Sequence, residues 1–240
     1  MSRSRLRFAP VMLALAAVAL LASGCSATPA SPVPTSTPSP REHRSTEPGD
    51  LYAAWLDGGR MIGIVTWGSS TPTCQPFVQA SSADGQDISV ELTYPPEASD
   101  GCNSDLRLLA HVIGVADGVD ASRDVRISIR DGDESGSAAL AGFADQETGV
   151  PDQAPTAGWF ADDGILLLTY GSSSCPPEVD EVERTDAGAT VRFASRDRMC
   201  TMDLAPRVTP IVLPDPVDRD VAFVLTLQGD NLDGEVRVRG

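Results

Sequence analysis

Ile64-Val65-Thr66-Trp67-Gly68-Ser69-Ser70, preceded by Ala54-Trp55-Leu56, returns later in the chain as Leu167-Leu168-Thr169-Tyr170-Gly171-Ser172-Ser173, preceded by Gly158-Trp159-Phe160. The landmarks around it recur in the same order. Cys74-Gln75-Pro76-Phe77-Val78 matches Cys175-Pro176-Pro177-Glu178-Val179, and Cys102-Asn103-Ser104-Asp105-Leu106 matches Cys200-Thr201-Met202-Asp203-Leu204. Asp124-Val125-Arg126-Ile127-Ser128-Ile129 stands opposite Asp220-Val221-Ala222-Phe223-Val224-Leu225. Self-similarity over units of roughly 85 residues is the length of a small domain. The chain therefore reads as a duplication, with repeat 1 at 51–143, repeat 2 at 157–240, and an Asp/Gln/Pro-rich linker at 144–156 between them.

Within each copy apolar residues alternate over short runs: Ile88, Val90, Leu92 and Tyr94; Val125, Ile127 and Ile129; Val191 and Phe193; Val236 and Val238. Period two bounded by Gly, Asp and Pro reads as half-buried strands. The unbroken runs Ile165-Leu166-Leu167-Leu168 and Ile211-Val212-Leu213 read as central strands, and no segment carries a long helical pattern. The expected fold is all-β: two tandem homologous antiparallel β-sandwich-like domains of about six strands each, separate but touching. Trp55 and Trp159 are expected in the cores or between the domains.

The duplication also assigns the cysteines. Four of the five lie in the repeats, which leaves three possible pairings. Matching positions require Cys74 with Cys102 and Cys175 with Cys200, one disulfide inside each copy. A metal site is the competing use, but neither copy has a Cys-x-x-Cys or a histidine at ligand spacing. Each closed loop should add roughly 3.5 kcal/mol on the chain-entropy model.

The fifth cysteine belongs to the N-terminus. Arg3, Arg5 and Arg7 precede an apolar run from Phe8 to Ala22, followed by Ser23-Gly24-Cys25. That is the plan of a signal peptide over 1–24. The run is shorter than the roughly 20 residues a membrane span needs, and Pro10 interrupts it. Leu21-Ala22-Ser23-Gly24-Cys25 resembles the lipobox of bacterial lipoproteins, with Ala22 where that family favours Leu. The resemblance implies that Cys25 receives the lipid anchor, a diacylglycerol thioether carrying acyl chains such as palmitate, and becomes the mature N-terminus. Ser26 follows, so the Asp that retains some lipoproteins at an inner membrane is lacking. From 25 to 50 the chain is rich in Pro, Ser and Thr, without periodic apolar residues, and reads as a disordered tether. In polyproline II form it could span up to roughly 78 Å.

Charge narrows the partners. The chain has 34 acidic and 18 basic residues, a net charge of -16, and all its basic residues are Arg. Loss of residues 1–24 would bring the net charge to -19. Such a surface repels both phosphate backbones and anionic headgroups, which excludes nucleic acid and leaves the lipid at Cys25 as the only expected hold on the membrane. The repeats also resemble uncharacterised two-repeat exported lipoproteins of GC-rich Gram-positive, actinobacterial-type bacteria, in their Thr-Trp/Tyr-Gly-Ser-Ser and Cys-x-x-Asp-Leu elements. That likeness implies no activity.

Catalytic constellations are scarce. His43 lies in the tether, and His111, on the apolar run Leu108–Ile113 opposite Thr209 or a neighbour in the other copy, reads as a strand-borne or satisfied core histidine. No Ser occupies a Gly-x-Ser-x-Gly elbow. The Gly68–Cys74 and Gly171–Cys175 loops could form small anion-binding nests, but a turn leading into the disulfide is the plainer reading. Asp105 and Asp203 would cap that turn or meet an Arg. Asp131-Gly132-Asp133-Glu134-Ser135-Gly136 matches the opening of a calcium loop, yet Gly142 stands where the bidentate Glu belongs, so a hairpin turn is expected. The reading is a non-enzymatic envelope protein on the outer face of the cytoplasmic membrane, with no catalytic residues, cofactor or metal and an open choice of protein or peptide partner. The alternative is a secreted hydrolase working with carboxylates alone.

Overall fold

The computed structural model describes residues 46–47, 50–99, 101–132, 134–143, 150–195 and 199–240. The signal peptide at 1–24, Cys25, His43, most of the tether, Asp133 and residues 144–149 of the linker lie outside the described residues.

Repeat 1 folds as β1 (Tyr52–Leu56), β2 (Met61–Ser69), β3 (Phe77–Asp84), β4 (Asp87–Thr93), β5 (Leu106–Gly114), β6 (Val125–Asp131) and β7 (Glu134–Leu140). Repeat 2 follows the same plan with β8 (Thr156–Trp159), β9 (Gly164–Gly171), β10 (Val179–Thr185), β11 (Gly188–Phe193), β12 (Ala205–Val212), β13 (Phe223–Gln228) and β14 (Gly234–Arg239). Apart from Tyr94, which stands one residue past β4 and is exposed, the alternating residues named above fall on β4, β6, β11 and β14, and the all-β expectation holds. Both disulfides form as the duplication requires, Cys74 with Cys102 and Cys175 with Cys200.

Sheet order is also duplicated. Repeat 2 is one sheet, β10-β11-β13-β14-β8-β9-β12. Repeat 1 has the same order split into β3-β4-β6-β7 and β1-β2-β5. The split falls between β7 and β1, whose counterparts β14 and β8 pair only at Val238 with Ala157 and Arg239 with Gly158. Most pairings are antiparallel, but β4 runs parallel to β6, β11 to β13 and β14 to β8. In each repeat the sheets wrap a core. One core holds Trp55, Ile62, Ile64, Ile88, Val90, Ile127 and Phe143; the other holds Trp159, Ile165, Leu167, Val191, Phe223 and Leu225. Trp55 donates Nε1-H to the Ala141 carbonyl at 2.7 Å, and Trp159 stacks edge-on against Phe223 at 5.0 Å.

A third core lies between the repeats, built from Tyr52, Ala54, Leu56, Val65, Phe160, Leu166 and Leu168. Alternate residues of β1, β2, β8 and β9 therefore serve two cores, which is why Ile165–Leu168 shows no polar break. Each buried Leu or Val there contributes about 1.5–3 kcal/mol. Small residues let the layers meet: a Cβ on Gly158 would lie 2.3 Å from the Trp55 carbonyl oxygen and 3.3 Å from Ala54 Cβ, and one on Gly63 would strike Leu166. The repeats belong to one compact unit. The expectation of separate, merely touching domains is corrected by this shared core.

The end of the tether is corrected as well. Thr46 donates its amide and hydroxyl to Asp163, at 3.0 and 2.7 Å, and the Glu47 amide donates to Tyr52 Oη at 2.6 Å. Those bonds fix residues assigned to a disordered segment. β8 likewise begins at Thr156, the last residue given to the linker.

Candidate functional site

The Gly-Ser-Ser loops were the best-marked candidate. Each follows the strand next to the edge strand of its repeat, β2 beside β5 or β9 beside β12, and leads to the disulfide. Tyr170 Oη approaches Met61 Sδ at 3.8 Å, so the C-terminal end of β9 lies over the N-terminal start of β2. The two strands run in opposite directions, and the loops leave the body at opposite ends. They cannot form a joint site.

The glycines answer to packing. Neither Gly68 nor Gly171 has a positive φ. A Cβ on Gly68 would lie 2.5 Å from Leu109 Cδ1, and one on Gly171 would lie 2.7 Å from the Arg207 guanidinium. Leu109 faces Thr66 on β5, and Arg207 faces Thr169 at the same place on β12. Each glycine thus makes room for the side chain of the neighbouring strand. Arg207 uses that room to donate to the carbonyls of Cys175 at 2.8 Å and Tyr170 at 3.4 Å.

The loop donors are spent internally. In repeat 2 the Ser173 amide donates to the Asp203 carboxylate at 3.2 Å, the Thr201 hydroxyl donates to the same group, and the Thr201 amide donates to Ser174 Oγ at 3.0 Å. The Thr201 hydroxyl, then Ser173, hold the Asp203 carboxyl down to about 2. An internal carboxylate therefore occupies the place an external anion would take. In repeat 1 the Ser70 amide donates to the Asp105 carbonyl at 2.9 Å, and Asn103 bridges Ser69 and Ser70, each at 2.6 Å. These are turns built for the disulfide, with Asp203 as the cap.

Carboxylates at the β1–β2 and β8–β9 turns are likewise committed. Asp57, with φ of 52°, is clasped by Arg60 Nε and Nη2 at 2.9 and 2.6 Å, and its amide donates to Thr156 Oγ1 of the other repeat at 3.0 Å. Asp162 is buried against Arg219 at 2.9 Å, and Asp163 holds Thr46. Burial, then the Asp57 charge, push the Tyr170 phenol up. Asp131 ends β6 in the hairpin to β7 and accepts from Tyr94 Oη at 2.9 Å; Gly132 takes the left-handed conformation the turn needs. Among the described residues no group of three or more His, Cys, Asp and Glu is placed to hold a metal ion.

His111 lies opposite Ile64, the position Thr209 holds opposite Leu167. It is buried, with Nε2 3.2 Å from Thr66 Oγ1. Burial pushes the imidazole pKa down to about 4, against the opposing Asp131 charge. It is a neutral core histidine. In repeat 2 the matching hydroxyls, Thr169 Oγ1 and Thr209 Oγ1, are buried without a hydrogen-bond partner.

Sequence reading missed a concave trough of ≈ 590 Å³ on the outer face of β3-β4-β6-β7. Ser82, Ser89, Ser128 and Ser137 stand side by side across its four strands. Their alternation with Ile88, Val90, Ile127 and Ile129 was visible; the parallel β4–β6 pairing that aligns them was not. Comparison with known protein families, curated proteins and solved structures finds no match. No helix among the described residues is long and apolar enough to cross a membrane, and two disulfides are compatible with an extracytoplasmic location.

Proposed function

We propose that this chain is a lipid-anchored cell-envelope protein, held through Cys25 at the outer face of the cytoplasmic membrane, whose double β body binds or braces a partner without catalysing a reaction. The observation that carries the reading is the use of the body's polar groups. Asp57, Asp162, Asp163 and Asp203 each hold an Arg, a Thr or a loop amide of their own chain. A hydrolase acting with carboxylates needs two of them facing a substrate cleft in contrasting environments. The lipobox-like Leu21–Cys25 and the disulfides support an exported, anchored protein. Acyl chains supply the membrane affinity that a net charge of -19 would oppose.

The test is crosslinking and capture from the native envelope, with a Cys25→Ala chain as control. The reading expects wild type in the membrane fraction with an enriched partner, and the variant in the medium. Membrane retention of the variant, or hydrolysis of an ester, glycoside or peptide substrate lost on Asp57→Asn, would overturn it.

A further inference from the structure

We infer that the trough on the outer face of β3-β4-β6-β7 binds an extended, uncharged β-linked pyranose polymer; this names a ligand for the binding half of the proposed function and rests on it. Strand register builds the trough. Ser82 pairs with Ser89, Ser89 with Ser128 and Ser128 with Ser137, so one row of hydroxyls crosses all four strands. The next row is Ala80, Glu91, Arg130 and Ser135. Their neighbours Ile88, Val90, Ile127 and Ile129 turn into the core, which leaves both rows exposed to solvent. The depression over them measures ≈ 590 Å³, within the range of ligand sites.

These polar groups are unspent. In the Gly-Ser-Ser loops the hydroxyls of Ser69, Ser70 and Ser172 bond their own chain. Among the described residues the hydroxyls of Ser82, Ser89, Ser128 and Ser137 make no hydrogen bond to protein, and Glu91 and Arg130 form no ion pair. The duplicated sheet shows the same rows closed. There Glu183, Thr190, Thr226 and Glu235 stand in place of the four serines. Arg192, the counterpart of Glu91, meets Glu181 at 2.5 Å and Glu183 at 3.4 Å, so its side chain lies across the two rows. The sister sheet folds without one serine in its row, so packing does not require them in repeat 1.

The chemistry selects the occupant. Neighbouring strands stand about 4.7–4.9 Å apart, close to the length of one ring in a β-1,4-linked pyranose polymer, and the serine row is about 14 Å long, or about three rings. Each serine hydroxyl both donates and accepts, as sugar hydroxyls do. Glu91 only accepts and Arg130 only donates, side by side, which suits two adjacent hydroxyls of one ring. Phe77, 50% exposed on the same face beyond Ala80, offers its ring to the C-H side of a sugar at one end of the trough. Asp84, Asp87 and Glu91 against Arg126 and Arg130 leave this face without an excess of positive charge, and Asp87 already holds Arg126 at 2.8 Å. On a chain of net charge -16 it favours neither phosphate nor uronic acid. A protein partner would need apolar anchors at the centre, where the trough has serines.

The probes are chitohexaose and cellohexaose, two uncharged β-1,4 oligomers, and β-1,4-linked hexaglucuronate as a charged one, each titrated into the full-length oxidised chain by calorimetry. Expected are saturable binding of an uncharged probe, binding of hexaglucuronate at least about tenfold weaker, and NMR amide shifts centred on Ser82, Ser89, Ser128 and Ser137. Ser89→Val/Ser128→Val removes the two central hydroxyls, keeps strand-favouring residues, and should weaken binding at least about tenfold. Arg192→Ala, on the sister sheet, should leave it unchanged. The shift map and the charged probe keep the test decisive if the valine variant misfolds. Absence of saturable binding by both uncharged probes, equal binding by a folded valine variant, shifts centred elsewhere, or equal or tighter binding of hexaglucuronate would each overturn the inference. None of these outcomes bears on anchoring through Cys25, which is read separately by fractionation and mass.

Discussion

Acidification from pH 7.5 to pH 5 should cost the folded chain about 2 kcal/mol through His111 alone. In the unfolded chain the imidazole titrates near 6.5; in the fold, burial lowers it to about 4. The unfolded state therefore binds the extra proton first, and stability falls as pH drops from about 6.5 towards 4. The full span of the shift is worth about 3 kcal/mol, of which about 2 kcal/mol is expressed by pH 5. This window lies above the range in which the Asp203 cap titrates. Urea unfolding at pH 7.5, 6.5, 6 and 5, on wild type and on His111→Thr, reads the effect directly. The substitution copies Thr209 and leaves a hydroxyl near Thr66, so the variant should keep the fold while losing most of the pH slope. Equal slopes in the two proteins would refute the placement of His111 as a buried neutral base.

The shared core predicts that Leu166→Ala costs about 2–5 kcal/mol and unfolds both repeats in a single transition; two transitions in a thermal scan would deny the common core. Gly158→Ala, which copies Ala54, should cost about 1–3 kcal/mol or more, because the new Cβ meets the Trp55 carbonyl rather than a movable side chain; an unchanged urea midpoint would contradict that approach of β1 and β8. Cys74→Ser/Cys102→Ser should lose about 2–5 kcal/mol and leave Cys175–Cys200 intact in a non-reducing peptide map. Asp203→Asn should speed hydrogen exchange at the Ser173 amide and leave the Ser70 amide, held by a backbone carbonyl, unchanged.

Much of this architecture is legible in residue order. Ile88, Val90 and Leu92, or Val125, Ile127 and Ile129, alternate because one face of β4 and β6 meets a core and the other meets water. The repeated cysteines give the disulfides because duplicated chains repeat their contacts. The run Leu108–Ile113 resists such reading, since one face of β5 is buried in its own repeat and the other is half-buried against the other repeat, and no polar break reveals which face holds His111. The inter-repeat core hides for a related reason: its partners are unlike across the duplication, Gly63 against Leu166 and Ala54 against Gly158, so small and large residues compensate in space and not along the chain. The Gly-Ser-Ser loops suggested permissive backbone, whereas the glycines serve Leu109 and Arg207 on neighbouring strands, a contact fixed only by register.

Intact mass of the native chain, taken from the membrane fraction under non-reducing conditions, tests the envelope reading most directly. The account predicts a chain beginning at Cys25, carrying a diacylglyceryl group and lacking four hydrogens for the disulfides Cys74–Cys102 and Cys175–Cys200. A chain that retains residues 1–24, or ends in an unmodified Cys25 with four free thiols, would contradict it.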